Sequence, residues 1–576
     1  MKKKLTYLLT VLLVLVMVVG CSKPAPTDPD ANANRTYDAF ALAAGLTPVF
    51  DGYANYHSDN IVPFGEGTST NYIRFKDAKN DELILAMRAA DPTTDEGRAE
   101  YQKLYREWVQ LMNEELPVIP MYSNEYYDGY DQVKLPGFKT GTMYGWDHAI
   151  VDVKPTVDTI QIGMVEFNGQ FMQGWGNSSY DDAIRDLVFD KLLTTNFDGE
   201  MVVGGIVDSL ETSADQKEWT FKLKSGLKFS DGSPLTTEDV LFTYLFYSDP
   251  SFTEAGASAS YNPKELVGYQ AYVDSAKAGT PDVSKFTGIE VISDTEIKFT
   301  VETPIFSTWS KLFTFGIFPK AIYAPDGKID VKAISAKYLA APVGSGPFIL
   351  EEYKPNEFVR LTANPNYAGN QDGNKPSFTT LIAKVVDDAT DYERLIAGDI
   401  DILSGMIEYK KMTAIKDSGK EINAYKRHGY GYLAFHTDFG VGSHKEIRQA
   451  LAYSLDRVVF GQDMIGPNAT VVQGPYATTY WMIDDAWVNS TLTNYTKDTT
   501  MAQKVLTDAG WKKGSDGIFE KDGLKAEIRI AVAAKSWEST FNKVLSNIVA
   551  ESGISVKVSL IDFNVLQEHF YGSFKG

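Results

Sequence analysis

A single cysteine, Cys21, stands in a chain of 576 residues. No disulfide can form within the chain and no thiolate metal cluster is available, so the fold must rest on its apolar core. Histidine is nearly as scarce: His57, His148, His428, His436, His444 and His569 are scattered, with none at helical metal-ligand spacing. Each reads first as a surface or capping residue, and no metal or cofactor is expected. The nucleophile elbow G-x-S-x-G, the zinc pair H-E-x-x-H and the phosphate-cradling G-x-x-x-x-G-K-[ST] are all missing. Acids are plentiful, 76 against 55 lysines and arginines. Such a surface produces carboxylate pairs by chance, so a paired-acid hydrolase cannot be argued from them, and the chain is expected not to be an enzyme. The net charge of −21 repels nucleic acid, which is excluded as a partner.

What is present is apolar and aromatic content, at 44% and 12%. The length exceeds what one hydrophobic core organises, so two lobes are expected, one of them subdivided. At the start, Lys2, Lys3 and Lys4 precede the apolar run Leu8 to Val19, which stops at Gly20-Cys21, the layout of a secretory signal over 1–20. Val18-Val19-Gly20-Cys21 resembles a lipobox. Cys21 is then the mature first residue and the lipidation site, and removal of the signal takes the charge to −24. Each buried acyl methylene contributes about 0.8 kcal/mol to membrane anchoring. The alternative of an uncleaved membrane span is weakened by the shortness of the run. Residues 21–36 are rich in Pro, Asp, Asn and Ala and read as a flexible tether.

Downstream, Trp219 to Tyr244 combines an alternating strand with a turn at Asp231-Gly232 and a helix opened by Thr236, with Asp239 at capping-box spacing. Asp294 to Glu302 alternates as a half-buried strand. Gly97 to Glu115 is a helix whose apolar stripe is Tyr101, Leu104, Tyr105, Trp108 and Met112. It is followed by the extended Leu116 to Tyr122 and an expected aromatic strand at Met143, Tyr144 and Trp146. Ser443 with Glu446 opens a helix with the stripe Ile447, Ala450, Leu451, Ser454, Leu455 and Val458. The strand Val556 to Leu560, the helix Phe563 to Tyr571 and the strand Tyr37 to Ala44 are expected to form one βαβ unit.

In this order, the motifs resemble the family 5 extracellular solute-binding proteins, the peptide receptors of ABC importers, but with the family's final segment placed first. The join falls at Val153 to Val157, before the strand-like Asp158 to Gly163. The resemblance implies an α/β fold: a type II periplasmic-binding-protein-like clamshell of two lobes with an additional subdomain, circularly permuted. Lobe II comprises 37–117, the ancestral C-terminal part, and 429–576, the ancestral central part. Lobe I comprises 118–197 and 326–428, with subdomain Ib inserted at 198–325.

It further implies an extracytoplasmic, lipid-anchored monomer that closes on an oligopeptide and delivers it to ABC permease subunits. Ligand contacts are expected from Trp175, Asn177, Tyr430, Tyr432, Trp481 and Trp537. Many relatives place an Asp for the peptide ammonium where this chain has Thr47, which supplies no counter-charge. Asp51 must then reach in, or the ligand lacks a free amine. Nickel chelates, heme or oligosaccharides are alternative ligands in the same fold. A peptide-sensing lipoprotein uncoupled from uptake and a secreted hydrolase are the alternatives from other classes.

Overall fold

A computed structural model describes Arg35–Phe574 except Asn177, Asp198 and Asp388. The expected signal, Cys21 and the tether up to residue 34 lie outside the described residues. Among these, no helix is long and apolar enough to cross a membrane.

Two large sheets organise the chain. One has seven strands in the order Phe348–Lys354, Phe358–Ala363, Thr380–Val385, Thr159–Met164, Ile402–Met406, Glu125–Tyr130 and Glu421–Lys426. Thr159–Met164 lies parallel to both Thr380–Val385 and Ile402–Met406, and its apolar positions Ile160, Ile162 and Met164 are buried. The other has five strands in the order Val118–Tyr122, Gly429–Phe435, Ala39–Gly45, Glu527–Val532 and Ser555–Leu560. Here Ala39–Gly45, Glu527–Val532 and Ser555–Leu560 run parallel. A four-stranded antiparallel sheet shares the core of the seven-strand lobe, its Phe221 and Phe299 fully buried against Phe313. The helix Thr237–Ser248 covers it and begins with the expected Thr236–Asp239 capping box.

The chain passes between the lobes twice. Ser123-Asn124 leads from Val118–Tyr122 to Glu125–Tyr130, and Arg427-His428 leads from Glu421–Lys426 to Gly429–Phe435. Val118–Tyr122 pairs with Gly429–Phe435, so the lobe boundary expected at 118 moves to the crossing at Ser123. Both crossings leave the seven-strand sheet at the edge where Thr159–Met164 and Ile402–Met406 end. They also meet the five-strand sheet where Ala39–Gly45 ends, Gly45 pairing with Gly429. Each lobe therefore turns the C-terminal ends of its parallel strands toward the junction, the edge at which open α/β sheets bind ligands.

The helix Asp95–Glu115 starts at the Thr94 cap and buries Tyr101, Tyr105, Trp108 and Met112 against one face of the five-strand sheet. Other expectations change. Trp146–Ala149 is a short helix capped by Gly145, so Met143, Tyr144 and Trp146 form no strand. The helix Lys445–Ser454 is capped by His444 rather than Ser443, and Val458 is exposed because a new helix, Arg457–Ile465, starts before it. Glu527–Val532 inserts between Ala39–Gly45 and Ser555–Leu560, so the expected βαβ unit spans an intervening strand. Its helix, Phe563–Tyr571, still lies beside the start of the described chain. The Tyr37 and His569 rings meet edge-on at 5.2 Å, and Ser69 N–H donates to the Tyr571 carbonyl at 2.9 Å.

Candidate functional site

A cavity of about 240 Å³ opens at the lobe junction, over the ends of the parallel strands of the seven-strand lobe. Met164, Ser404 and Gly405 come from those strand ends, Trp146 from the short helix, and Arg427 and His428 from the second crossing. Asp128 sits beneath it, wholly buried on Glu125–Tyr130. Its carboxylate accepts the backbone N–H of Trp146 and that of Gly405, each at 2.8 Å. Burial pushes the carboxyl up to about 7, against the opposing effect of these two donors. The Trp146 indole N–H donates to Ser404 Oγ at 3.0 Å, so Asp128 and Ser404 together fix the ring at the cavity wall. Gly145 allows this close approach: a Cβ there would lie 2.7 Å from the Tyr425 hydroxyl oxygen.

The second crossing forms the opposite wall. His428 Nε2 lies 2.9 Å from the Thr47 carbonyl oxygen, which also accepts the Tyr480 hydroxyl at 2.8 Å. Donation to that carbonyl places the proton on Nε2 and leaves Nδ1 to accept from Thr479 Oγ1. Burial lowers the His428 pKa, favouring the neutral ring. Arg427 is buried beside it, its guanidinium 5.5 Å from the Tyr126 ring centroid.

The expected ligand residues fall elsewhere. Tyr430 and Tyr432 are buried in Gly429–Phe435, where the sheet is covered on both faces; Tyr430 packs with Tyr56 and Trp108 in one core. Trp175 lies against Phe252 at 5.2 Å and donates its indole N–H to the Ala255 carbonyl, which makes it a packing residue. Trp537 fills a gap between Tyr122, Phe460 and Phe541. Trp481 is partly exposed under the Arg98 guanidinium, 3.8 Å from its ring centroid. The Thr47 side chain is bonded to the Val49 carbonyl, and only its backbone reaches the crossing. Asn177 lies outside the described residues.

Asp51 is no free counter-charge. Its carboxylate meets Arg88 at 3.4 Å and Lys311 at 3.2 Å, and Lys311 also holds Glu265 at 3.1 Å. Lys311 lies on the helix Thr308–Leu312 of the seven-strand lobe and Arg88 on the five-strand lobe, so the cluster bridges the two. Phe306 extends the same bridge by packing on Tyr101 at 4.5 Å.

Asp128 and Arg427 are not among the residues expected from the sequence, and Trp146 is expected only as part of an aromatic strand. Asp128 gave one signal, an acid set between tyrosines inside the aromatic strand Glu-Tyr-Tyr-Asp-Gly-Tyr. Arg427 gave another, as a charged residue two positions before the wholly buried strand Gly429–Phe435.

Known proteins resemble this chain in sequence and in shape. The family model for bacterial extracellular solute-binding proteins, family 5 Middle, matches residues 201–574. The "Oligopeptide-binding protein AppA" of Bacillus subtilis (strain 168) is 26% identical over 68% of this chain and 68% of its own length. Other curated relatives are matched over little more than half of theirs. Lactococcal OppA, solved with an endogenous peptide in the closed conformation, superposes with a TM-score of 0.56 at 20% identity, covering 71% of this chain and 78% of that one. NikZ from Campylobacter jejuni, solved with Ni(L-His), gives 0.53 at 20% identity, covering 70% and 74%. These structural likenesses concern the fold.

Proposed function

Because the chain belongs to the bacterial extracellular solute-binding proteins of family 5, we propose that it captures an oligopeptide between its lobes and delivers it to the membrane subunits of an ABC importer. The observation that carries this reading is the junction cavity of about 240 Å³, walled by strand ends of one lobe and by a crossing segment. A ligand held there touches the strand ends of the seven-strand lobe and the crossing Arg427-His428 about which the lobes rotate. Its binding energy is then available to drive closure, and the closed outline is what a permease distinguishes from the open one. Peptides are favoured by relatives such as the oligopeptide-binding protein AppA and the peptide-bound lactococcal OppA.

The same reading makes the protein a monomer without catalytic activity, tethered by lipid on Cys21 outside the cytoplasm. It also makes the chain a circular permutant, supported by the proximity of Tyr37 to His569 and by a family match that begins only at residue 201. Native mass spectrometry of protein purified from its own cells tests the ligand class. A retained mass series resolving into peptides is expected; a retained metal chelate, heme or sugar in its place would overturn the peptide assignment.

A further inference from the structure

Arg427 is a buried guanidinium that meets no carboxylate. Its Nη1 donates to Asn124 Oδ1 at 3.0 Å and its Nη2 reaches the Ala44 carbonyl at 3.5 Å. Nε, equally buried, has no hydrogen-bond partner. Among the described residues, no Asp or Glu lies within ion-pair distance of it. An unpaired charge out of water is costly, and a protein that keeps one needs a compensating group. The carboxylates beside the cavity do not serve: Asp128 is held by the Trp146 and Gly405 N–H groups, and Asp147 lies against His148 at 3.4 Å. Two other buried arginines show what a purely structural role looks like here. Arg448 and Arg457 each spend at least three N–H groups on backbone carbonyls or an amide oxygen. Arg427 spends two, one of them at long range, while lining the cavity that the seven-strand lobe and the second crossing enclose.

We propose that Arg427 is the counter-charge for an anionic group on the ligand, so that the ligand presents a carboxylate at the lobe junction and is selected by it. This rests on the peptide reading and deepens it. With Thr47 in place of an acid and Asp51 already paired to Arg88 and Lys311, neither residue expected to receive an ammonium is a free carboxylate. Recognition then runs through the ligand's negative end. A guanidinium suits this task because its fixed fork matches a carboxylate and remains charged at any physiological pH. Its position also couples recognition to movement: Arg427 lies on a crossing segment and touches Asn124 of the other one.

The test compares pentapeptides with neutral side chains, prepared as free acids, as C-terminal amides and as amides carrying one Glu at each position in turn. Binding to the full chain is followed by titration calorimetry. Free acids are expected to bind wild type at least about tenfold more tightly than neutral amides, the scale of one charge-assisted hydrogen bond. Restoration by a Glu-bearing amide would identify a side-chain carboxylate as an equivalent source of the anion. In Arg427→Gln the acid-to-amide ratio is expected to fall to about one, and Arg427→Lys should keep part of it. A brace without a ligand role would weaken all peptides alike and leave that ratio unchanged. Equal binding of acid and amide by wild type, or an unchanged ratio in Arg427→Gln, overturns the inference while leaving peptide binding intact. If Arg427→Gln fails to fold, the wild-type ratio and the Arg427→Lys ratio decide. Failure of every peptide to bind folded wild type sinks the peptide reading and this inference with it.

Discussion

Asp128 holds two backbone N–H groups on its carboxylate, yet burial outweighs them and raises its pKa to about 7. In the unfolded chain the same group titrates near pH 4, as an ordinary aspartate does. Between about pH 4 and 7 the folded form keeps a proton that the unfolded form has released. The contribution to stability is therefore complete below pH 4 and is lost as the pH rises through 7. Asp190, also raised to about 7 by burial, acts in the same direction; His436, lowered to about 3 by burial, acts in the opposite one. Both are common to wild type and an Asp128→Asn variant, so they cancel in the comparison. The stability of wild type relative to Asp128→Asn should fall by about 1 to 3 kcal/mol between pH 5 and pH 8, since a tenfold difference in proton affinity between the two states is worth about 1.4 kcal/mol. Urea unfolding at both pH values measures it, and a flat difference would show that Asp128 is ionised in the fold.

The bridge formed by Asp51, Arg88, Glu265, Lys311 and Phe306 ties the helix Thr308–Leu312 to the opposite lobe. Its ion pairs are partly exposed and contribute little each. Phe306 is half-buried, and removing its ring forfeits about 1 to 2 kcal/mol of apolar contact. That loss falls on the state in which the lobes touch. The double variant Phe306→Ala, Lys311→Ala should thus enlarge the radius of gyration without ligand in small-angle scattering. It should also weaken ligand binding by up to about tenfold, because fewer molecules begin with the lobes together. An unchanged radius would mean that the bridge does not set lobe separation.

At this scale much was legible in the sequence, wherever one face of an element is buried and the other wet. Asp95–Glu115 has a 3.6-residue stripe and Glu296–Thr300 alternates, so both could be read directly. Gly429–Phe435 is buried on both faces, and nothing in its pattern distinguishes a core tyrosine from one at a cleft. For that reason the sequence could not place Tyr430 and Tyr432, which lie buried and outside the lining of the junction cavity. Met143 to Trp146 imitated a strand through its aromatics, whereas the chain there is governed by Gly145 and by the demand of Asp128 for the Trp146 N–H.

Over the whole molecule, the proposed order of segments has a physical consequence. If the chain is a permutant, its stability resides in contacts that do not depend on where the backbone is cut. Those contacts are the parallel pairing of Ala39–Gly45 with Glu527–Val532 and the packing of Phe570 on Tyr72, whose rings are 4.4 Å apart. Neither needs a covalent link between residue 574 and residue 35. The opposite holds at Lys154-Pro155, where the backbone runs through a short non-regular segment between Val153, buried in the core, and the strand Thr159–Met164. On the permutant reading, opening the chain there and joining Phe574 to Arg35 through a Gly/Ser linker should give the family's segment order and leave every sheet pairing in place. Moving a cut changes mainly loop-closure entropy, which grows only as the logarithm of loop length. The rejoined protein is expected to unfold within about 2 kcal/mol of the original and to bind the same ligand with an affinity within about threefold. Loss of cooperative unfolding would show that the present order of segments is itself required for the fold. Intact folding with altered affinity would instead locate the effect of that order in lobe closure, since the five-strand lobe would then carry a covalent loop beside Tyr37 and His569 that it now lacks.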